Sequence, residues 1–207
     1  MPQKFDLTIG IAKLEDALGV YNALKQNLIE IYDINIIPKK QRERLEHQGF
    51  LRRKLDVKRY EKLILDPTID IYVAKNKKRD IIAFASIYKN QYNIYNFRTS
   101  LDNLYTNDKN IRVFLTSENS KFVYLDQISV IPEYKRKGVG TAIFEKILMD
   151  TELPIVAFIV EAPLANKASA LWHEHIGFEL GATCDGEYQG KKFEWSIYIH
   201  WNNKIKN

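Results

Sequence analysis

Long hydrophobic runs and paired cysteines are both missing from this 207-residue sequence. No apolar stretch approaches the roughly 20 residues that cross a bilayer, and the N-terminal residues lack the basic-then-apolar layout of a secretion signal. The single cysteine, Cys184, cannot form an internal disulfide, which is typical of proteins kept in a reducing compartment. We therefore expect a cytoplasmic protein, not bound to a membrane, in which Cys184 is an incidental thiol near a turn.

Repeats, low-complexity tracts and recognisable linkers are also absent. The content of hydrophobic residues (45%) and of charged residues (28%) is ordinary for a globular protein, and the length suits one domain. We expect a single domain over residues 1–207, a monomer or a homodimer. Nothing in the sequence leads us to expect a metal.

Positive charge is concentrated in residues 35–62, which contain ten Lys and Arg but only four Asp and Glu. Such a block can attract an acidic partner or nucleic acid. No aromatic–basic stacking motif accompanies it, so a solvated face of surface helices is the preferred interpretation. Nucleic-acid binding stays the less favoured one.

Apolar periodicity predicts an α/β order of elements in the first half of the chain. A short strand at 7–11 precedes a helix within 13–32, and further helices follow at 39–47 and 56–65, with Asp56 as an N-cap. Residues 69–76 and 80–90 form a predicted antiparallel hairpin. The predicted buried stripe of the first helix consists of Leu14, Leu18, Tyr21, Leu24 and Leu28.

The second half begins with a segment of about 90–120 that has no sustained period. We predict an irregular insertion there, and long insertions of this kind are often functional. Strands are then predicted at 121–130 and 154–160, separated by a helix at 139–150. A helix that begins at Asn166 and ends at Gly177 precedes a final pair of strands.

The stretch SVIPEYKRKGVGTAIFEKIL, residues 129–148, places three basic residues and two glycines at the start of a helix. The first amides of a helix are unpaired and carry its positive dipole end, so they bind anions. Gly138 and Gly140 let backbone approach such an anion closely. A Walker loop is absent, and Ile143 stands where a dinucleotide fingerprint needs glycine or alanine. On this stretch alone, a tight turn with solvated lysines would be preferred.

Two signatures at matching separation change this interpretation. The spacing of Val130, Pro132, Tyr134, Lys135, Gly138 and Gly140 resembles the acyl-CoA loop of the GNAT superfamily of N-acetyltransferases. The later residues Asn166, Ser169, Trp172, His173, Gly177 and Phe178 resemble that family's helix ending in Gly-Phe. The resemblance covers roughly residues 5–200, with specific motifs only between 124 and 178. It implies a mixed α/β fold whose central, mainly antiparallel sheet is splayed at the acyl-CoA site and flanked by helices.

The resemblance further implies an enzyme that transfers an acetyl group from acetyl-CoA to a primary amine by direct attack. The pyrophosphate would rest on the amides of 136–141, and the pantetheine arm on the backbone of 128–130, where an amide also polarises the thioester carbonyl. Lys135 replaces the family's glutamine or arginine and keeps only the charge. The implied cofactor-binding residues are Ile128, Ser129, Val130, Lys135, Arg136, Lys137, Gly138, Val139, Gly140, Thr141, Asn166 and Ser169.

The resemblance also places residues for proton transfer. Asp126 lies on the strand face of Ile128 and Val130, where relatives place a base. A structural carboxylate that pairs with a nearby lysine is the alternative, and Tyr124 and Glu161 are competing bases. His173 stands where the family often has a tyrosine that protonates the CoA thiolate. It is either a general acid or a surface-facing helix histidine.

The acceptor is not determined by the sequence. In the family, the first helices and the loop before the cofactor strand line the acceptor side, which here means residues 35–62 and 90–120. The positive charge of residues 35–62 disfavours a polycationic acceptor and could suit an acidic peptide, an anionic metabolite or charged tRNA. Tyr92, Tyr95, Phe97 and Tyr105 either cover a small amine or are packing residues. A non-catalytic acyl-CoA-binding or nucleic-acid-binding module on the same scaffold is the alternative function.

Overall fold

The computed structural model of this protein describes residues 6–29, 37–89, 101–188 and 190–202. The described helices are α1 (Ala17–Lys25), α2 (Lys39–Gln48), α3 (Val57–Leu65), α4 (Lys109–Thr116), α5 (Val139–Asp150) and α6 (Lys167–His175). The described strands are β1 (Thr8–Ile11), β2 (Ile69–Lys75), β3 (Ile81–Tyr88), β4 (Leu104–Tyr105), β5 (Val123–Val130), β6 (Ile155–Ala162), β7 (Glu179–Tyr188) and β8 (Lys191–His200). This is the mixed α/β class with mostly antiparallel strands that we expected. Within these ranges no helix is long and apolar enough to cross a membrane.

The chain divides into two compact units, so the single domain over 1–207 stays a prediction. The first unit consists of residues 1–30, 51–89 and 125–152, and the second of residues 31–50, 90–124 and 153–207. The predicted splay of the sheet concerns strands from both units and likewise stays a prediction.

In the first unit, β1, β2 and β3 pair antiparallel, with Thr8 opposite Lys75 and Ile69 opposite Tyr88. The side-chain oxygen of Asn76 accepts hydrogen bonds from two amides of the β2–β3 turn, which confirms the predicted hairpin. The portion of β5 in this unit lies beside β3. The core forms where α1 packs on β3 and α3 packs on β2 and α1, and there the buried rings of Tyr60 and Phe84 meet edge to face at 5.7 Å.

The predicted stripe of α1 is confirmed at Leu24 and wrong at Leu14 and Leu18. Leu14 precedes the helix in a short 3-10 turn and is 50% exposed, and Leu18 is 57% exposed. The buried face of α1 combines Leu24 with Ala17, Val20 and Ala23, which the prediction did not include. A Cβ atom on Gly19 would lie 2.7 Å from Cδ1 of Ile81 on β3. Small residues therefore face the sheet because α1 lies too close to it for a leucine row.

The basic block largely follows its predicted local structure. Helix α2 has no buried residue and ends at Gly49, which has a φ of 72°. Helix α3 begins after Asp56, whose carboxylate accepts a hydrogen bond from the Arg59 amide at 2.8 Å, so its role as N-cap is confirmed. The exposed charges of α2 agree with a solvated helical face.

In the second unit, β6, β8, β7 and β4 are neighbours in that order, and each pair is antiparallel. The β7–β8 hairpin is the predicted final strand pair. Cys184 is buried on β7 opposite Trp195, and burial together with the neighbouring Asp185 raises the pKa of its thiol to about 12. It is a packing residue within a strand, not a residue near a turn.

The predicted irregularity of 90–120 is wrong for its second part. Residues 101–120 contain β4 and α4, and the Asp108 carboxylate caps α4 by accepting hydrogen bonds from the amides of Asn110 and Ile111. Residues 90–100, which include Tyr92, Tyr95 and Phe97, lie outside the described residues. Tyr105 is described and is largely exposed.

The buried Asn27 gives a test of how the first unit is held together. Its Nδ2 atom donates to Oγ of Ser129 at 2.7 Å and to the Val130 carbonyl oxygen at 2.9 Å. We expect Asn27→Ala to lower the free energy of unfolding by about 1–3 kcal/mol, because buried acceptors lose their donor. Chemical denaturation measures this change. Asn22→Ala, at an exposed position of α1, is the matched control and should change stability by less than about 0.5 kcal/mol; equal effects would contradict the assignment.

Candidate functional site

Strand β5 presents two different faces in the first unit. Asp126, Ile128 and Val130 are half-buried on one face, whereas Gln127 and Ser129 are buried on the other. The predicted alternation is therefore confirmed. One face of β5 is therefore accessible to a ligand. The polar side chains on the other face are buried and need hydrogen-bond partners inside the protein.

The polar side chains on the buried face of β5 form hydrogen bonds with side chains from two helical segments. The Ser129 hydroxyl accepts from Asn27 and lies 3.3 Å from the Ala23 carbonyl oxygen. The Tyr60 hydroxyl donates to Oε1 of Gln127 at 3.0 Å. The side chain of Ser129 thus has a structural role, and its predicted cofactor contact would be made by its backbone.

Asp126 forms an ion pair with an arginine from the basic block. Oδ2 of Asp126 lies 2.8 Å from Nη1 of Arg53, and their side chains are 10% and 30% exposed. The structural alternative for Asp126 was a pair with a lysine, and the pair exists with an arginine. Burial raises the pKa of Asp126, while the charge and hydrogen bond of Arg53 lower it, and burial has the larger effect.

Two tyrosines surround this ion pair. Nη1 of Arg53 lies 3.4 Å from the Tyr88 hydroxyl oxygen. Burial, followed by the negative charge of Asp126, raises the pKa of both Tyr60 and Tyr88. Their hydroxyls therefore stay protonated, so they act as hydrogen-bonding groups and not as bases at neutral pH.

The loop that carries Lys135, Gly138 and Gly140, here called the glycine loop, forms an open helix start. Arg136 and Gly138 have φ values of 59° and 79°, and Gly138 is the N-cap of α5 without any side-chain cap. A Cβ atom on Gly138 would meet no atom within 4 Å. The uncapped amides of Val139, Gly140 and Thr141 make this helix start suited to an anion such as a phosphate.

The basic side chains of the glycine loop lie in different environments. Burial lowers the pKa of Lys135, which marks it as partly enclosed. Nζ of Lys137 lies 5.5 Å from the centre of the Tyr134 ring. Val139 is buried, so only its backbone is placed to contact a ligand.

Asn166 and Ser169 lie in the second unit, at the start of α6. Oδ1 of Asn166 accepts from the Ser169 amide at 3.3 Å, and Nδ2 donates to the Phe50 carbonyl oxygen at 2.9 Å. Asn166 therefore caps α6, as predicted, and also forms a hydrogen bond with the segment after α2. Contact of Asn166 or Ser169 with acyl-CoA stays a prediction.

His173 is buried in the second unit. It is 1% exposed, so the surface-facing alternative is wrong. Nδ1 lies 2.7 Å from the Ser169 carbonyl oxygen and must carry the proton, and Nε2 has no hydrogen-bond partner among the described residues. Burial lowers the pKa of His173 to about 4. At neutral pH Nε2 holds no proton, which argues against His173 as the predicted general acid.

The competing bases are also in described parts of the chain. Tyr124 is buried and packs edge to face on Phe158, at 5.6 Å between ring centres. Glu161 is exposed on β6. Burial and then Glu174 raise the pKa of Tyr198, and the charge of Glu161 adds a smaller part. Within the described ranges, no group of three or more His, Cys, Asp or Glu is placed to hold a metal.

Sequence reasoning missed Arg53, Asn27, Tyr60 and Tyr88 as neighbours of β5. Arg53 was only one of ten basic residues in its block. One signal was available: Gln127 and Ser129 are two positions apart and so share one face of β5, and buried polar groups need partners. The signal does not say which residues those partners are.

Comparison with known proteins decides the family. The model of the acetyltransferase (GNAT) family matches residues 30–178. The chain belongs to this family. A comparison with curated proteins finds no match.

Several solved structures of acetyltransferases share the fold. The ribosomal-protein-S18-alanine N-acetyltransferase from Escherichia coli is 14% identical, with a TM-score of 0.56 over 94% of this chain and 92% of that one. NAA60 from Arabidopsis thaliana in complex with acetyl-CoA is 10% identical, with a TM-score of 0.56 over 94% and 97%. A spermidine N-acetyltransferase SpeG chimera from Vibrio cholerae and hSSAT is 14% identical, with a TM-score of 0.54 over 97% and 98%. At these identities the likeness concerns the fold alone.

The low pKa of His173 predicts a pH-dependent stability. The unfolded chain binds a proton near the ordinary pKa of 6.5, whereas the folded protein binds it only near 4. The stability contributed by neutral His173 is therefore present above pH 6.5 and is lost as the pH falls towards 4, by on the order of 3 kcal/mol. Denaturation from pH 7 to pH 4 measures the slope. His173→Gln should flatten it, while His175→Gln, at an exposed position, should leave it unchanged; an unaltered slope in His173→Gln would disprove the assignment.

Proposed function

We propose that this acetyltransferase transfers the acetyl group of acetyl-CoA directly to a primary amine. The observation that carries the proposal is the uncapped start of α5 in the same unit as β5, whose half-buried face bears Asp126. The GNAT family uses acetyl-CoA, and one of the similar structures holds it. Acetyl-CoA supplies an acetyl group activated as a thioester.

The residues of the glycine loop fit the anionic end of acetyl-CoA. Gly138 leaves space at the helix start, and the amides of residues 139–141 supply unpaired donors. Lys135, Arg136 and Lys137 supply positive charge beside them. Hydrogen bonds to charged groups contribute about 1.5–3 kcal/mol each, so this arrangement accounts for a site specific for phosphates without a Walker lysine.

Asp126 is the proposed base. An acceptor that arrives as an ammonium group gives one proton to the Asp126 carboxylate and becomes the neutral amine. The amine nitrogen then forms a bond with the thioester carbon, and the carbon–sulfur bond breaks. The nitrogen loses one proton to become an amide and the CoA sulfur gains one, so that the products are the acetylated amine and the free thiol. Burial raises the pKa of Asp126, which makes the carboxylate a stronger base than an exposed one.

The acceptor is proposed only as a primary amine. Two of the similar structures are named for spermidine and for an alanine of a ribosomal protein, so one fold serves acceptors of different charge and size. Here the ion pair of Arg53 and Asp126 is neutral overall and lies beside a basic segment. Such a site does not concentrate polyamines, which supports an acceptor of low positive charge.

Acetyl-CoA binding should depend on Gly138. In Gly138→Val a β-branched side chain would be placed at a φ of 79°, so the loop must leave its left-handed conformation. We expect acetyl-CoA affinity to fall by about tenfold or more, because at least one charge-assisted backbone hydrogen bond is lost. Titration calorimetry measures the affinity.

The matched control is Gly190→Val in the β7–β8 turn. Gly190 has a φ of 73°, and a Cβ atom there also meets no atom within 4 Å. The two variants should lose similar stability, but Gly190→Val should bind acetyl-CoA like the wild type. Unchanged affinity in Gly138→Val would remove the loop from the site.

Turnover should depend on Asp126 much more than acetyl-CoA binding does. Asp126→Asn keeps the shape of the side chain but removes the base, so we expect kcat/KM for the amine to fall by about 10²- to 10⁴-fold. Asp70→Asn is the control, since Asp70 is also a strand carboxylate in an ion pair, with Lys89 at 2.9 Å. A loss below about threefold in Asp126→Asn, measured with a screened amine acceptor, would count against the assignment.

A further inference from the structure

The backbone that carries Arg53 is held in place on two sides. The Leu51 amide donates to the Asn27 carbonyl oxygen at 2.8 Å, and the Ile29 amide donates to the Leu51 carbonyl oxygen at 2.8 Å. Nε2 of Gln127 donates to the Arg53 carbonyl oxygen at 3.3 Å. Segment 51–53 is therefore attached both to the end of α1 and to β5, the strand that carries Asp126.

The guanidinium of Arg53 is the more exposed member of the pair. Its side chain is 30% exposed, against 10% for Asp126. The arginine therefore lies nearer the surface than the carboxylate. A carboxylate at such depth loses most of its hydration, and without a cation it would favour the neutral form. A neutral carboxyl group cannot take a proton from an ammonium group.

Arg53 is the group that counteracts the effect of burial on the charge of Asp126. Arg53 is the charged group that acts on Asp126, and the nearby Tyr60 and Tyr88 contribute neutral hydroxyls. Arg59 acts on Tyr88 and not on the carboxylate of Asp126. One cation therefore opposes the desolvation of one carboxylate.

We propose that Arg53 is a positioning residue of the transfer reaction, which keeps Asp126 ionised and oriented to accept the proton of the incoming ammonium group. This inference rests on the proposed function. Arg53 touches the base through a hydrogen bond of 2.8 Å, and its own backbone is attached to the same strand. When Asp126 takes up the proton, Arg53 loses its counter-charge, which favours release of the proton to water and restores the base.

The first test is the pH profile of kcat/KM for the amine in Arg53→Met. An arginine beside a carboxylate lowers its pKa by about one to three units, so the acid limb of the profile should move to higher pH by about that amount. Activity should recover in part at high pH. Arg53→Lys should move the limb less, because it keeps the charge. Arg53→Gln takes the place of Arg53→Met if that variant does not fold.

Arg44→Met is the matched control. Arg44 belongs to the same basic block but is exposed on α2, so its replacement should leave the acid limb in place. Acetyl-CoA affinity should be unchanged in all variants. An acid limb that stays in place in Arg53→Met, or a loss of activity that is equal at every pH, would overturn the proposal.

A second readout separates this inference from the proposed function. The carboxyl carbon of Asp126 can be followed by NMR in protein labelled with carbon-13 at aspartate, and Asp126→Asn identifies its signal. A midpoint that rises in Arg53→Met supports the electrostatic role without any turnover. If the midpoint rises but no amine is acetylated, the proposed function fails and the positioning role in catalysis fails with it. If turnover is normal and the midpoint does not move, only the role of Arg53 is overturned.

Discussion

The polar residues on the buried face of β5 impose the constraint on which the first unit depends. Gln127 and Ser129 point into the interior, and an unpaired polar group there costs on the order of 1–3 kcal/mol. Ser129 is satisfied by Asn27, which follows α1, while Gln127 bonds both Tyr60 of α3 and the backbone of Arg53. Satisfying two side chains thus attaches three separate segments to one strand. The ion pair on the opposite face of the strand follows from that attachment.

How much of this could be predicted depends on the range of the interaction. Local patterns gave the bounds of α5, the hairpin of β2 and β3 and the caps Asp56 and Asn166, because these depend on neighbours within a few residues. The predicted stripe of α1 was wrong at Leu14 and Leu18 because several faces of this helix carry apolar residues, and the distance to the sheet selects the buried face. That distance depends on Gly19 and Ile81, which are far apart in sequence.

The candidate site divides in the same way. The glycine loop is a local motif, and its open helix start could be predicted from spacing. The partner of Asp126 could not, since Arg53 is 73 positions away and resembles nine other basic residues of its block. His173 shows the opposite difficulty: its position in the motif was clear, but its charge state depends on Phe178 and Tyr198, whose rings pack around it. Burial, and not the motif, decides whether that imidazole can hold a proton.

The position of Cys184 has a practical consequence. It is the single thiol of the chain, and it is buried on β7 between the registers of β4 and β8. A reagent that alkylates thiolates reaches it only when these strands separate. The rate at which Cys184 is labelled in the native protein therefore measures how often these strands of the second unit open. The protein carries its own single-site reporter of local unfolding, and no engineered label is needed to read it.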